Sequence, residues 1–184
     1  ELSEQAASQT HFNDLCALLG VRNPIEADPV GDTFTFEKAV AVSGAASLGA
    51  KGERGRADVW YRGKFVWEYK RKGKYADLAD AYRQGKQYRD ALGNPPLLIV
   101  SDIARTEIHT NFTGFRPEMH AVELADLADP DKQARALDTL RRGFTDPESF
   151  KPDETPEEVT KQAATAIGSI AQGLRSRGHD PHAA

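Results

Sequence analysis

The chain has 184 residues, with 24 Lys and Arg against 28 Asp and Glu, which fits one globular domain with appended helix. No apolar run approaches the roughly 18 residues that span a bilayer, so no membrane association is expected. The N-terminus lacks the pattern of a secretory signal, and one cysteine excludes an internal disulfide. We therefore expect a cytoplasmic protein, and the missing initial methionine suggests a fragment.

Hydrophobic periodicity predicts helices and strands along the whole chain. Loops are expected at 23–32 and 43–55, which are rich in small residues, prolines or acids. The predicted elements, in chain order, are a helix at 3–19, an element of either type at 33–42, strands at 56–61 and 65–70, a helix at 75–92, strands at 97–100, 107–112 and 120–122, and helices at 132–142 and 155–176. This pattern predicts an α/β domain whose mixed central sheet is flanked by helices.

The character of the sequence changes near residue 129. We therefore divide the chain into a domain at 1–128 and a helical connector at 129–184. The last helix has a strong start signal, because Thr155, Pro156 and Glu158 suit the N-cap, the first helical position and a capping box. Its apolar stripe needs a partner surface.

Positive charge is concentrated in one segment. Residues 51–74 contain nine Lys and Arg and three acids, so this segment carries +6 and the rest of the chain −10. A basic stripe around a few acids suits a site that attracts phosphates and also holds a cation. We assign Arg71, Lys72 and Lys74 as candidate DNA-binding residues. Charge alone also fits a solvated, lysine-rich surface.

Asp58, Glu68 and Lys70 are the candidates for a metal-binding and catalytic site. Side chains alternate along a strand, so Glu68 and Lys70 share one face. If a three-residue turn joins the two strands, Tyr61 opposes Phe65, and Asp58 falls directly opposite Glu68. Two carboxylates that close repel each other unless they share a proton or a cation.

A magnesium ion suits such a pair, because Mg²⁺ takes one or two carboxylates together with water and phosphate oxygens. Lys70 would bind the scissile phosphate, or position and deprotonate the attacking water. The alternative is a surface hairpin that carries a cross-strand ion cluster.

The spacing from Asp58 to Glu68-x-Lys70 resembles the PD-(D/E)xK nuclease signature, with Ala57 where the family often has proline. The resemblance implies a restriction-endonuclease-like core and metal-dependent hydrolysis of DNA. It also implies an extra acid before the hairpin, for which Glu37 is our candidate metal ligand.

Some branches of that family add a Gln-x-x-x-Tyr motif on the following helix. Gln84 and Tyr88 match it and share a helix face, so we include Gln84 among the candidate catalytic residues. Both are also ordinary residues of a helix surface.

A wider resemblance covers nearly the whole chain. Segments 8–16, 33–38, 67–70, 94–98 and 108–113 are similar to the N-terminal part of MmeI-type (type IIL) restriction–modification proteins, and 174–181 resembles the connector that follows. The resemblance implies a Mg²⁺-dependent endonuclease module acting on double-stranded DNA. Its polypeptide would continue into an N6-adenine DNA methyltransferase, which uses S-adenosylmethionine, and a target-recognition domain. Phage-defence systems share this arrangement.

Two rival functions stay open. The first is a catalytically silent nuclease fold that serves as a DNA-binding or scaffolding module of a phage-defence methyltransferase. The second is a structural subunit that docks on a methyltransferase and binds no metal.

Overall fold

The computed structural model describes residues 4–41, 54–70, 75–153 and 155–176. The strands are β1 (Phe34–Ala41), β2 (Arg54–Tyr61), β3 (Phe65–Tyr69), β4 (Leu97–Ser101), β5 (Arg105–Thr110) and β6 (Met119–Glu123). The helices are α1 (Glu4–Leu19), α2 (Pro24–Ala27), α3 (Tyr75–Tyr88), α4 (Gln133–Thr145) and α5 (Pro156–Ser176), with short 3₁₀ helices at Leu124–Leu127 and Pro147–Phe150. The segment that the sequence left open between strand and helix forms β1.

The six strands form one sheet in the order β1-β2-β3-β4-β5-β6. All neighbours are antiparallel except β3 and β4, which run parallel. A parallel pair needs a crossover connection, and α3 lies in the segment that joins these two strands. The prediction of an α/β domain with a mixed central sheet flanked by helices is therefore confirmed.

One hydrophobic core packs α1 and α4 against the sheet. The ring of Phe12 on α1 is fully buried at its centre. It contacts aromatic rings at centroid distances of 5.2–6.4 Å, those of Phe34, Phe36, Phe65, Trp67 and Phe144. On α1, Leu18 is 54% exposed, whereas Cys16 is buried.

A second core lies on the α3 side of the sheet. Its buried residues are Val40, Ala57, Trp60, Val66, Tyr88, Leu92 and Leu98. Along β3, Phe65, Trp67 and Tyr69 belong to the first core, whereas Val66 belongs to the second. The predicted alternation of side chains along β3 is therefore confirmed.

The described residues fall into two compact units. The first holds the sheet and α1–α4 and continues to Lys151, beyond residue 129, where we placed the start of the connector. The second comprises 113–116 and the residues from 152 onward.

Helix α5, in the second unit, starts as predicted. The Thr155 N–H donates to the Glu158 carboxylate, and the Glu158 N–H donates to the Thr155 hydroxyl. Its apolar residues Val159, Ile167 and Ile170 are 50%, 67% and 64% exposed. Within the described ranges, no helix has the length and hydropathy needed to cross a bilayer.

Candidate functional site

Five of the predicted site residues line one open pocket of about 340 Å³ in the first unit. They are Glu37, Asp58, Glu68, Lys70 and Gln84, and Ser8 and Tyr69 complete the lining. The pocket gathers residues from α1, three neighbouring strands and α3. The predicted DNA-binding residues Arg71, Lys72 and Lys74 lie outside the described residues.

At Glu37 and Asp58, the side chains of β1 and β2 switch from one face of the sheet to the other. On one side of this point Phe36 and Val59 pack in the first core, and on the other side Ala57 packs in the second. Residues two apart on a regular strand share a face, so the alternation shifts by one residue at Asp58.

The pairing register is the same on both sides of this shift. Phe36 pairs with Val59 and Lys38 with Ala57, but the ladder has no Glu37–Asp58 pair between them. Glu37 has a φ of 53°, in the left-handed region that costs a non-glycine residue about 1–3 kcal/mol. This local strain accompanies the placement of both carboxylates at the pocket.

Asp58 lies where β2 and β3 separate. The pairs Tyr61↔Phe65 and Val59↔Trp67 confirm the predicted register, but the β2–β3 ladder ends there. Asp58 therefore does not form the predicted pair directly opposite Glu68. Its Oδ2 instead accepts a hydrogen bond from the Tyr69 N–H at 2.7 Å, which fixes the carboxylate beside the end of β3.

Glu68 is the most unusual group of the pocket. It is 2% exposed, and its Oε1 has no hydrogen-bond partner among the described residues. Burial raises the pKa of Glu68 to about 9, the nearby charges of Asp58 and Glu37 add to the rise, and Lys70 opposes it. At pH 7 the protonated form of this carboxyl is therefore favoured in the folded protein.

Lys70 is held by α3. Its Nζ donates to Gln84 Oε1 at 3.1 Å, and Gln84 Nε2 donates to the Tyr88 hydroxyl at 3.0 Å. The backbone of β2 packs closely on the same tyrosine, since a Cβ on Gly55 would lie 2.4 Å from the Tyr88 ring. Gly55 thus allows the approach of Tyr88 that orients Gln84 towards Lys70.

Gly55→Ala is expected to destabilise the protein by about 1–3 kcal/mol, because the new methyl group overlaps the Tyr88 ring. Gly85→Ala on α3 is the matched control. An added Cβ there meets nothing within 4 Å, and removing a glycine from a helix gains up to about 1 kcal/mol. Urea unfolding measures both changes. Equal effects of the two substitutions would contradict the close packing of Gly55 on Tyr88.

Sequence reasoning did not identify Ser8, Gly55 or Tyr69 as site residues. Ser8 had a usable signal, because it falls one helical turn before Phe12 on the buried face of α1, where a small polar residue stands out. Tyr69 was assigned only to the opposite face. Its hydroxyl pairs with Nδ1 of His11 on α1 at 2.9 Å. No signal in the sequence relates Gly55 to Tyr88.

The carboxylates fit a cation with few protein ligands. Among the residues that the structure describes, no group of three or more His, Cys, Asp and Glu is arranged to hold a metal ion. Glu37 is engaged elsewhere, since its Oε2 accepts from Arg56 Nη1 at 3.4 Å. Asp58 and Glu68 are the other two carboxylates of the pocket, and Mg²⁺ takes one or two carboxylates and keeps several waters.

No protein-family model, curated protein or solved structure matches this chain. The function is therefore inferred from the geometry of the pocket and from the sequence.

Proposed function

We propose that this chain is a metal-dependent DNA endonuclease module with a PD-(D/E)xK-like core. In this proposal Asp58 and Glu68 hold Mg²⁺, and the reaction is hydrolysis of a phosphodiester. The observation that carries it is the buried, unpartnered Oε1 of Glu68 beside a second carboxylate. A buried carboxyl oxygen without a partner destabilises the fold, and a bound cation offsets that cost.

The residues of the pocket have separate roles in this reaction. Mg²⁺, when bound, supplies a polarised phosphate and a water of lowered pKa. Asp58 is oriented by the Tyr69 N–H, and Glu68 would release its proton to solvent in order to hold the cation. Lys70 donates one hydrogen to Gln84 and has two more to offer to a phosphate oxygen or to the attacking water.

We extend the proposal to the rest of the polypeptide on the basis of the resemblance in the sequence. The substrate is then double-stranded DNA, which the basic segment 51–74 attracts through its phosphates. The partners are a methyltransferase domain that uses S-adenosylmethionine and a target-recognition domain, within a restriction–modification or other phage-defence system.

A catalytically silent DNA-binding module is the second candidate. Two observations favour it: Glu37 pairs with Arg56, and the described part of the chain holds no group of three or more His, Cys, Asp and Glu arranged around a metal position. The two candidates differ in whether the pocket supports hydrolysis.

A nicking assay tests the proposal. The chain is incubated with supercoiled plasmid while Mg²⁺ or Mn²⁺ is titrated, and metal-dependent conversion to open circles is expected. Asp58→Asn should abolish it, since the amide oxygen still accepts from the Tyr69 N–H but the negative charge is lost. Asp90→Asn is the control, because Asp90 is 83% exposed and pairs with its neighbour Arg89. DNA binding without nicking at any metal concentration would favour the silent module.

A further inference from the structure

Glu37 and Arg56 form an ion pair beside the pocket. Their side chains are 24% and 61% exposed, and Arg56 Nη1 lies 3.4 Å from Glu37 Oε2. Charge-assisted hydrogen bonds are usually about 2.7–2.9 Å long, so this contact is weak. Arg56 therefore holds Glu37 only weakly, and either residue can leave the pair to bind a stronger partner.

The backbone conformation of Glu37 indicates that the ion pair with Arg56 is more than an ordinary surface contact. An ordinary cross-strand ion pair needs only extended backbone, but Glu37 is left-handed in the middle of β1 and has no ladder partner. Strain of this kind persists where the surrounding structure enforces it, commonly at functional sites. Here it accompanies a third carboxylate in the same pocket as Asp58 and Glu68.

We propose that Arg56 couples DNA binding to cation binding by releasing Glu37, an inference that rests on the proposed function. In the free protein Arg56 holds the Glu37 carboxylate. A backbone phosphate of the DNA then takes the guanidinium, which matches phosphate geometry better than it matches a single carboxylate oxygen. Glu37 becomes available as a third acid for the cation at Asp58 and Glu68.

The coupling is reciprocal. Because DNA and the cation both favour the state in which Glu37 is released, each raises the affinity of the protein for the other by the same factor. An exposed ion pair limits that factor to about fivefold. The cation would therefore bind most tightly when a phosphate backbone lies at the pocket.

A double-mutant cycle measures the release directly. Mn²⁺ alone is titrated by calorimetry into the wild-type chain, Arg56→Gln, Glu37→Gln and the double variant. Arg56→Gln is expected to raise Mn²⁺ affinity up to about fivefold, and to have no effect once Glu37 is Gln. The same gain in both backgrounds would show a simple loss of positive charge and overturn the proposal.

Arg62→Gln is the matched control for charge. Arg62 is an exposed arginine of the turn that follows β2, and it lies over the Trp60 ring rather than beside an acid of the pocket. Its replacement removes the same charge without releasing Glu37, so Mn²⁺ affinity should change by less than about twofold. A gain equal to that of Arg56→Gln would again overturn the proposal.

The effect of DNA is measured in the Lys70→Ala background, in which cleavage is expected to be at least about 100-fold slower, so that the complex persists during the titration. A short duplex is expected to raise Mn²⁺ affinity in both proteins, because its phosphates also attract the cation, but by up to about fivefold more when Arg56 is present than in Arg56→Gln. Equal effects of the duplex with and without Arg56 would overturn the coupling.

Different results would exclude the proposed function and the coupling. If the wild-type chain binds no Mn²⁺, or binds it equally well as Asp58→Asn, the proposed function fails and the inference falls with it. If Mn²⁺ binding requires Asp58 but the Arg56–Glu37 cycle is additive, only the inference fails.

Discussion

Glu68→Gln is expected to stabilise the metal-free protein at pH 8, although it removes a central residue of the candidate site. The reason is the environment of the carboxyl group. Glu68 is 2% exposed, its Oε1 has no partner among the described residues, and burial raises its pKa to about 9. Gln has the shape of the protonated carboxyl and never has to ionise or take up a proton.

The pH dependence has a definite sign. In the unfolded chain Glu68 loses its proton near pH 4.5, whereas in the folded chain it keeps the proton up to about pH 9. The favourable contribution of protonated Glu68 to folding is therefore complete below pH 4.5 and declines as the pH rises towards 9. The increase in the free energy of unfolding caused by Glu68→Gln should be small at pH 5 and reach several kcal/mol at pH 8.

Urea unfolding in the presence of a chelator, at both pH values, measures this difference. Glu148→Gln is the control, because Glu148 is exposed and its replacement should have the same small effect at both pH values. A stability difference that does not depend on pH would contradict the burial of an ionisable group at this position.

The hairpin and its surroundings could be predicted because they depend on local patterns. Alternation separates Glu68 and Lys70 from Trp67 and Tyr69, and the short turn sets the register through Tyr61 and Phe65. The apolar run that forms β4 is typical of a central strand, and β4 does lie inside the sheet.

Strand β1 was ambiguous for a physical reason. Phe34 and Phe36 face the first core, whereas Val40 faces the second. On a regular strand all three would share a face, because they are an even number of residues apart. The face shift at Glu37 thus breaks the period of two by which strands are recognised. Only the long-range pairing of β1 with β2 shows that the segment is a strand, so its conformation could not be inferred from residues 33–42 alone.

The contacts that complete the site are also long-range. Asp58 accepts from a backbone group 11 residues away, and Arg56 meets Glu37 across 19 residues. The first contact lies where β2 and β3 separate beyond the pair Val59↔Trp67, and the second crosses from β2 to β1 beside the missing pair at Glu37. No local pattern encodes either feature. The sequence therefore predicts five of the residues that line the pocket, whereas the structure shows how each is held and adds Ser8 and Tyr69.

Lys70→Ala is expected to reduce DNA cleavage by at least about 100-fold while leaving Mn²⁺ affinity unchanged or higher. Lys70 contributes no ligand to a cation, so its loss removes a positive charge from the pocket without removing a carboxylate. What disappears is the ammonium group that Gln84 positions for the phosphate or the water. Asp58→Asn should lose both metal binding and cleavage, which separates the two roles.

Single-turnover nicking at saturating Mn²⁺, combined with calorimetric titration of the same protein, makes the distinction. Lys86→Ala is the control, because Lys86 is an exposed lysine of α3 that lies over the Tyr82 ring and not at the pocket. It should leave cleavage within about twofold of the wild-type rate, as expected for the loss of one screened surface charge. If Lys70→Ala also cleaves within that range, Lys70 does not take part in the reaction. Asp58, Glu68 and Lys70 would then not form a catalytic triad.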